Sequence, residues 1–233
     1  SLAYVCAAKG YRFKVVTSDA FAAEKLATMA ALGAELTIVP SVGGKITPDL
    51  TPRMIETARE LADDPNVYWT DQLHNADSLV GYHQVGVELL EQMERPIDLF
   101  CCAVGTSGMA TGVTNALEEA GSPTRVVIFE PDSSPVISTG EAGVNSVEGI
   151  GIGIVPPLLD LERFDEVRAV SEQDAFAMAR RLASEEGLFA GGSTGLNVTG
   201  AIELAQELGA GQSVVTLACD TGLKYLAGGL FRR

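Results

Sequence analysis

The sequence predicts an α/β protein with two lobes, each built on an open, mostly parallel β-sheet flanked by helices. Short β-branched runs alternate with longer helical segments almost throughout the 233 residues, which is the pattern of repeated βαβ units. The run Leu99–Val104 is apolar on both faces, as expected when helices cover both sides of a parallel sheet. A boundary near Trp69–Gln72 separates a smaller α/β domain, residues 1–70, from a larger one, residues 71–233.

The predicted strands are rich in β-branched residues and are bounded by turn residues. In chain order they are Arg12–Val16, Glu35–Val39, Val67–Trp69, Asp98–Ala103, Arg125–Phe129, Glu166–Val170 and Ser213–Leu217. The predicted helices begin at capping residues and end near glycine. They are Ser1–Gly10, a helix capped by Ser18 and ending at Leu32, one capped by Thr51 and ending near Leu61, Ser78–Glu94, one capped by Ser171 and ending near Glu186, and one opening at Gly191–Gly195 and running toward Leu208.

Composition excludes several classes of protein. The net charge of −15 argues against nucleic-acid binding, which depends on clustered Lys and Arg. No apolar run approaches the ~20 residues of a membrane span, and no signal peptide opens the chain. Four cysteines without a Cys-x-x-Cys pair, and only two histidines, favour a reducing compartment and no metal site. We therefore expect a cytoplasmic protein. Since the chain opens within a helix, without Met, we also expect it to be truncated.

A glycine-rich turn follows the Leu99–Val104 run and opens a helix. It reads Gly105-Thr106-Ser107-Gly108-Met109-Ala110-Thr111-Gly112. Glycines allow close backbone approach, and the N–H groups of such a turn bind phosphate well. No Lys-Ser/Thr pair ends it, so it is not a nucleotide-triphosphate loop. The turn predicts a phosphate site, the alternative being a tight structural connection.

Four other segments lie where strands or lobes end. Each has an ordinary explanation by itself, as a helix cap, a linker turn or a plain loop. They are Gln72–Asp77, Glu148–Gly153, Gly191–Gly195 and Cys219–Gly222.

Together and in this order, these segments resemble the cysteine synthase and cystathionine β-synthase family of fold-type II pyridoxal-phosphate enzymes. The family's Gly-Thr-Gly-Gly-Thr-x-Thr-Gly loop resembles Gly105–Gly112, and its Gln-Phe-x-Asn-Pro-Ala-Asn segment resembles Gln72–Asp77. Its Gly-Ile-Gly stretch resembles Gly149–Gly151. Its Gly-x-Ser-Ser-Gly helix start resembles Gly191–Gly195, and its Asp-Ser-Gly-x-x-Tyr resembles Asp220–Tyr225. The similarity spans essentially the whole chain.

The resemblance implies a role for each matching residue. Gly105, Thr106, Ser107, Gly108 and Met109 would hold the phosphate of pyridoxal 5'-phosphate. Thr221 would face the pyridine nitrogen, and Gln72 and Gly149 would contact a small amino-acid substrate. The resemblance also implies a homodimer.

The sequence departs from the family in several places. Ser107 stands in place of a glycine, Met109 in place of a threonine and Thr221 in place of a serine. The family's Schiff-base lysine and its Ser-Gly-Asn-Thr-Gly loop have no match here. We therefore expect that lysine upstream of Ser1, no catalytic residue in this chain, an incomplete first lobe and a fragment that is inactive alone.

The activity implied for the intact enzyme is β-replacement or β-elimination on a serine or cysteine derivative, as in cysteine biosynthesis. One alternative is a nicotinamide-dependent oxidoreductase in which Glu130 binds a ribose hydroxyl. Another is a non-catalytic homologue that binds a ligand or partner.

Overall fold

Two parallel sheets organise residues 1–231, the part of the chain that the computed structural model describes. The first pairs β1 (Lys14–Ser18) with β2 (Glu35–Val39) in parallel. The second has the order β5-β4-β3-β6, with all pairs parallel. Its strands are β3 (Leu99–Ala103), β4 (Arg125–Pro131), β5 (Glu166–Val170) and β6 (Val214–Val215). The predicted α/β class with parallel sheets is confirmed, while the domain boundary near residue 70 stays a prediction.

Eight α-helices flank these sheets within the described residues. They are α1 (Leu2–Lys9), α2 (Ala23–Ala31), α3 (Leu50–Ala62), α4 (Asp77–Gln92), α5 (Gly108–Glu119), α6 (Val136–Thr139), α7 (Glu172–Glu185) and α8 (Gly192–Leu208). Short 3-10 turns occur at Leu161–Arg163 and Gly222–Tyr225. None of the helices within residues 1–231 has the length and apolar composition that a membrane crossing requires.

The core lies on both faces of the four-stranded sheet. Alternate residues of β3 point to opposite faces. Leu99 and Cys101 belong to a cluster that includes Leu196 of α8. Phe100 and Cys102 belong to a second cluster, which includes Val113 of α5. These four side chains of β3 are fully buried. Helices therefore cover both faces of this sheet, as the apolar run predicted.

The strand predicted at Val67–Trp69 and the helix cap predicted at Ser18 are wrong. Val67–Trp69 is not a strand, because this three-residue run has no neighbouring strand to pair with, and Tyr68 is 78% exposed. Ser18 does not cap a helix. It ends β1, and its Oγ accepts a hydrogen bond from Ala20 N at 3.2 Å in a turn. The helix begins only at Ala23.

Other helix ends follow their local signals. Ser171 Oγ accepts from Asp174 N at 3.2 Å, which confirms the cap predicted for α7. Gly10 takes the left-handed conformation after α1, with φ 72°. Thr51, by contrast, lies inside α3, which begins one residue earlier at Leu50.

Candidate functional site

The glycine turn lies where β3 ends, at the carboxyl edge of the four-stranded sheet. In open α/β sheets, ligands bind at this edge. The chain leaves β3 at Ala103, turns through Ser107 with φ 67°, and enters α5 at Gly108. A left-handed serine is uncommon, because such a φ is disfavoured for side chains other than Gly and Asn. The strand, turn and helix are therefore arranged as predicted for a phosphate site.

This turn contains hydrogen-bonding groups that the protein leaves unused. Ser107 is 3% exposed, and its Oγ has no hydrogen-bond partner within residues 1–231. The first N–H of the turn that donates to the backbone is that of Thr111, to Ser107 O at 2.9 Å. Buried polar groups are normally paired. An unpaired hydroxyl beside the N-terminus of a twelve-residue helix therefore fits an anionic ligand.

A second backbone segment closes against the turn at Gly149. A Cβ on Gly105 would lie 2.1 Å from Gly149 O, so only glycine fits at position 105. Gly149 itself has φ 92° and faces open space on its Cβ side. Asn145 holds the following residues by donating through Nδ2 to Gly151 O at 2.7 Å. The structure thus brings the predicted residues Gly105 and Gly149 together.

The Thr221 turn lies beyond β6, the neighbour of β3. Thr221 is exposed, and its Oγ1 accepts from Leu223 N at 3.3 Å, which leaves its hydroxyl hydrogen available to donate. Gly191 N donates to Asp220 O at 3.1 Å, and Gly222 N donates to Phe189 O at 2.9 Å. The turn is therefore anchored on the segment that leads into α8.

Asn197 and Thr194, two residues of α8, join these segments. Asn197 is fully buried; its Oδ1 accepts from Ala103 N at 2.7 Å and its Nδ2 donates to Leu217 O at 2.9 Å. It therefore links the end of β3 to the segment after β6. The helix cap expected from Ser193 or Thr194 is wrong: α8 has no side-chain cap, and Thr194 Oγ1 instead accepts from Cys219 N at 3.0 Å. A buried asparagine in an apolar helix is the sequence signal for such a role.

Gln72 lies in the turn before α4 and is exposed. Within residues 1–231 its side chain has no hydrogen-bond partner. Asn75 shapes the turn by donating to Thr70 O at 3.0 Å and accepting from Asp77 N at 2.9 Å. Ser78, in the first turn of α4, has its Oγ 3.4 Å from where a Cβ of Gly108 would lie. The segment that contains Gln72 therefore leads directly to the glycine turn.

Glu130 cannot bind a ribose hydroxyl. It is fully buried, and its two carboxylate oxygens accept from Ile137 N at 2.7 Å and Ser138 N at 2.9 Å. The carboxylate thus caps the short helix α6. This removes the observation that had favoured a nicotinamide-dependent enzyme.

The cysteines differ in their accessibility. Cys101 and Cys102 are buried, and burial raises the pKa of the Cys101 thiol to about 12. Cys219 is exposed as a residue. Its sulfur nevertheless lies against Asn197 Nδ2 at 3.4 Å, and desolvation raises the pKa of the Cys219 thiol.

Iodoacetamide should therefore modify Cys219 slowly and leave Cys101 and Cys102 intact in the folded protein, because the thiolate is the reactive form. Mass spectrometry of peptides after timed labelling measures the three rates. Unfolding the protein in guanidinium should make all three equal. Rapid labelling of Cys102 without denaturant would contradict the packing of β3.

Comparisons with known proteins agree with this arrangement. The family model described as "Pyridoxal-phosphate dependent enzyme" matches residues 1–220. A cysteine synthase of Staphylococcus aureus (strain N315) is 36% identical over 232 residues, which are 99% of this chain and 73% of that protein. The crystal structure of an O-ureido-L-serine synthase has a TM-score of 0.88 and 32% identity, covering 99% of this chain and 72% of that one. An O-acetylserine dependent cystathionine beta-synthase from Helicobacter pylori has a TM-score of 0.90 and 28% identity, covering 99% and 74%.

The family match confirms the predicted cofactor, since members of this family use pyridoxal phosphate. It also covers the glycine turn, the Gly149 loop and the helix start at Gly191, and it ends at Asp220. By sequence and by fold, the chain belongs to the fold-type II pyridoxal-phosphate-dependent enzymes.

Proposed function

We propose that this protein carries out β-replacement or β-elimination on a serine or cysteine derivative, in the manner of a cysteine synthase. The observation that carries the proposal is the glycine turn with its unpaired Ser107 Oγ, closed by Gly149. The turn around Thr221 follows a strand of the same sheet. When bound, pyridoxal phosphate supplies an electron sink for bond breaking at the substrate's α-carbon.

The phosphate group would be held by the turn from Gly105 to Met109. The N–H groups of Thr106, Gly108 and Met109 and the Ser107 hydroxyl are the donors. The positive end of α5 adds favourable potential for an anion. Met109 would contribute only its N–H, so the threonine hydroxyl of the family is lost here and a serine hydroxyl is gained. This donor set fits a phosphate.

Thr221 would donate its hydroxyl hydrogen to the pyridine nitrogen. A neutral hydroxyl cannot stabilise a protonated nitrogen by charge pairing, as a carboxylate would. The nitrogen would therefore stay largely unprotonated, which favours loss of the β-substituent. Asp220 braces the turn instead, because its Oδ2 accepts from Tyr225 Oη at 2.9 Å.

Gln72 would bind the substrate carboxylate, and Gly149 would leave room for the substrate beside the phosphate turn. Gly149 meets no atom within 4 Å on its Cβ side. The exposed amide of Gln72 is available as a donor. We further propose that the working form is a cytoplasmic homodimer, as the resemblance implies; sedimentation velocity measures the oligomeric state.

The reaction is tested on the full-length enzyme with pyridoxal phosphate, O-acetyl-L-serine and sulfide. Formation of cysteine and acetate supports β-replacement. Formation of pyruvate and ammonia without an acceptor supports β-elimination. Cofactor binding in equilibrium dialysis without either product would indicate a non-catalytic homologue. A protein that binds nicotinamide dinucleotide and no pyridoxal phosphate would overturn the proposal.

Substitutions of Thr221 and Asp220 should show whether the Thr221 hydroxyl or the Asp220 carboxylate interacts with the pyridine nitrogen. Thr221→Ser should be nearly silent. Thr221→Ala should weaken cofactor binding mildly, through loss of a hydrogen bond of about 0.5–1.5 kcal/mol. Thr221→Asp should reduce activity most, because a carboxylate stabilises a protonated nitrogen. Equilibrium dialysis and the specific activity of the full-length enzyme measure these effects. A damaging Asp220→Asn beside a silent Thr221→Ala would make the Thr221 assignment wrong.

Borohydride reduction in the presence of pyridoxal phosphate should leave none of the five lysines stoichiometrically labelled. Lys25 Nζ is engaged by Glu148 Oε2 at 3.0 Å and Tyr225 Oη at 2.8 Å. None of the other four has the sequence context of the family's lysine; they are Lys9, Lys14, Lys45 and Lys224. Peptide mass mapping measures the labelling. One lysine labelled efficiently would overturn this expectation.

A further inference from the structure

The N-terminus of α2 is capped by a residue that is distant in the sequence. Its N-cap residue, Ala22, has no side-chain cap nearby in the chain. Instead the N–H of Ala22 donates to Glu148 Oε2 at 3.0 Å, across 126 residues. A carboxylate at a helix N-terminus is favourable both as an acceptor and for its charge. Helix α2, which flanks the two-stranded sheet, is thus attached to the loop before Gly149.

Lys25, in the first turn of α2, extends this attachment to a second loop. Its Nζ lies 3.0 Å from Glu148 Oε2 and 3.8 Å from Asp220 Oδ2. It also donates to Tyr225 Oη at 2.8 Å and lies 4.4 Å from the centre of that ring. The Lys25 side chain is 25% exposed, and those of the two carboxylates 14% and 15%. We call Lys25, Glu148, Asp220 and Tyr225 the lysine cluster.

Each carboxylate of the lysine cluster directly precedes a residue of the proposed site. Glu148 precedes Gly149, and Asp220 precedes Thr221. We propose that Lys25 is a positioning residue that holds the Gly149 loop and the Thr221 turn at the separation the cofactor needs. The proposal rests on the proposed function for the identity of the cofactor.

The charge of Lys25 explains how a single lysine can hold the Gly149 loop and the Thr221 turn in place. Glu148 and Asp220 are both largely buried and both lie against the Lys25 ammonium, so they would repel each other more strongly without it. Burial raises the pKa of Tyr225, which therefore keeps its proton and donates to Asp220 Oδ2. Tyr225 cannot neutralise the second carboxylate. Loss of the Lys25 charge should therefore drive the two loops apart, while the buried sheet beneath them stays intact.

Lys224 provides a matched control. Its Nζ lies 3.4 Å from the same Asp220 Oδ2, but its side chain is 44% exposed, and the structure shows it in no ion pair with Glu148. An exposed pair of this kind contributes little. Lys224→Met therefore removes one positive charge from Asp220 without breaking the connection between the two loops.

The test compares Lys25→Met, Lys25→Arg and Lys224→Met with the unaltered protein. The first readout is the rate of Cys219 alkylation, because Cys219 directly precedes Asp220. The second is the Kd for pyridoxal phosphate from equilibrium dialysis. The thermal unfolding midpoint is recorded for each variant. A Met side chain can still pack on the Tyr225 ring, and Arg keeps the charge, so a fold defect is distinguishable from a positioning defect.

We expect Lys25→Met to raise the Cys219 rate and the Kd by about 10-fold each, as for loss of a partly buried ion pair. Lys25→Arg should keep the Cys219 rate and the Kd close to those of the unaltered protein. Lys224→Met should change neither value by more than about 2-fold. If Lys25→Met lowers only the unfolding midpoint, or if Lys224→Met has an equal effect, the positioning role is overturned. If the unaltered protein binds no pyridoxal phosphate, the proposed function fails, while the Cys219 rates still decide whether Lys25 holds the Thr221 turn.

Discussion

Replacing Gly105 with alanine should weaken pyridoxal phosphate binding by about 10- to 100-fold. The added Cβ would lie 2.1 Å from Gly149 O and 3.3 Å from Gly149 C, both backbone atoms that no rotamer change can move. Overpacking of this kind costs about 1–3 kcal/mol, and each 1.4 kcal/mol is about a factor of ten in Kd. Either the glycine turn or the Gly149 loop has to move, so the phosphate donors are displaced. Equilibrium dialysis measures the Kd.

Gly81→Ala is the matched control for this substitution. Gly81 lies within α4, and a Cβ there meets nothing within 4 Å. Alanine at this position should leave the Kd unchanged and raise helix stability by about 0.5–1 kcal/mol. Equal Kd values for the two variants would mean that the glycine turn is only a structural connection.

The second large effect is expected at Gly195 in the second turn of α8. A Cβ there would lie 2.0 Å from Ala175 O and 2.9 Å from Ala179 N, so α7 and α8 touch through their backbones. Gly195→Ala should separate the helices or strain both, at a cost of about 3 kcal/mol in the free energy of unfolding. The unfolding midpoint should fall by about 6–12 °C, given 2–4 °C per kcal/mol for a chain of this size.

Scanning calorimetry of Gly195→Ala beside Gly81→Ala tests this expectation. Because α8 carries Thr194 and Asn197, a shifted α8 should also loosen the Cys219 turn and speed its alkylation. A midpoint unchanged from that of the unaltered protein would show that the two helices are free to move apart at no cost.

The sequence predicted the elements whose signals are local. The strands Glu35–Val39 and Glu166–Val170 and the Ser171 cap are confirmed as predicted. The end of β6 was overestimated, since only Val214–Val215 pairs with β3. Beyond Val215 the side chain of Asn197 connects the two segments instead, by accepting from Ala103 N and donating to Leu217 O. The alternation of apolar residues along a strand does not show where a side chain from another element replaces the backbone pairing.

In the candidate site, too, the segments with local signals were predicted and the contacts between distant residues were not. The glycine turn and the Thr221 turn were found because glycines and hydroxyls are concentrated in short segments. The contacts of Thr194 and Lys25 were missed because their partners lie far away in the chain. The start of α2 was placed too early for the same reason, since the carboxylate that caps it belongs to a distant loop.

The capping of α2 by Glu148 also bears on the order of events during synthesis. The ribosome adds the carboxylate 126 residues after the amide that it caps. Until then α2, a nine-residue helix, has no partner for the N–H of its N-cap residue, and isolated helices shorter than about 12–15 residues are marginal in water. Residues 23–31 thus emerge as a segment with little helical structure of their own. Their helix becomes stable only when the loop before Gly149 exists, so α2 takes its final form late in synthesis although it lies near the start of the chain.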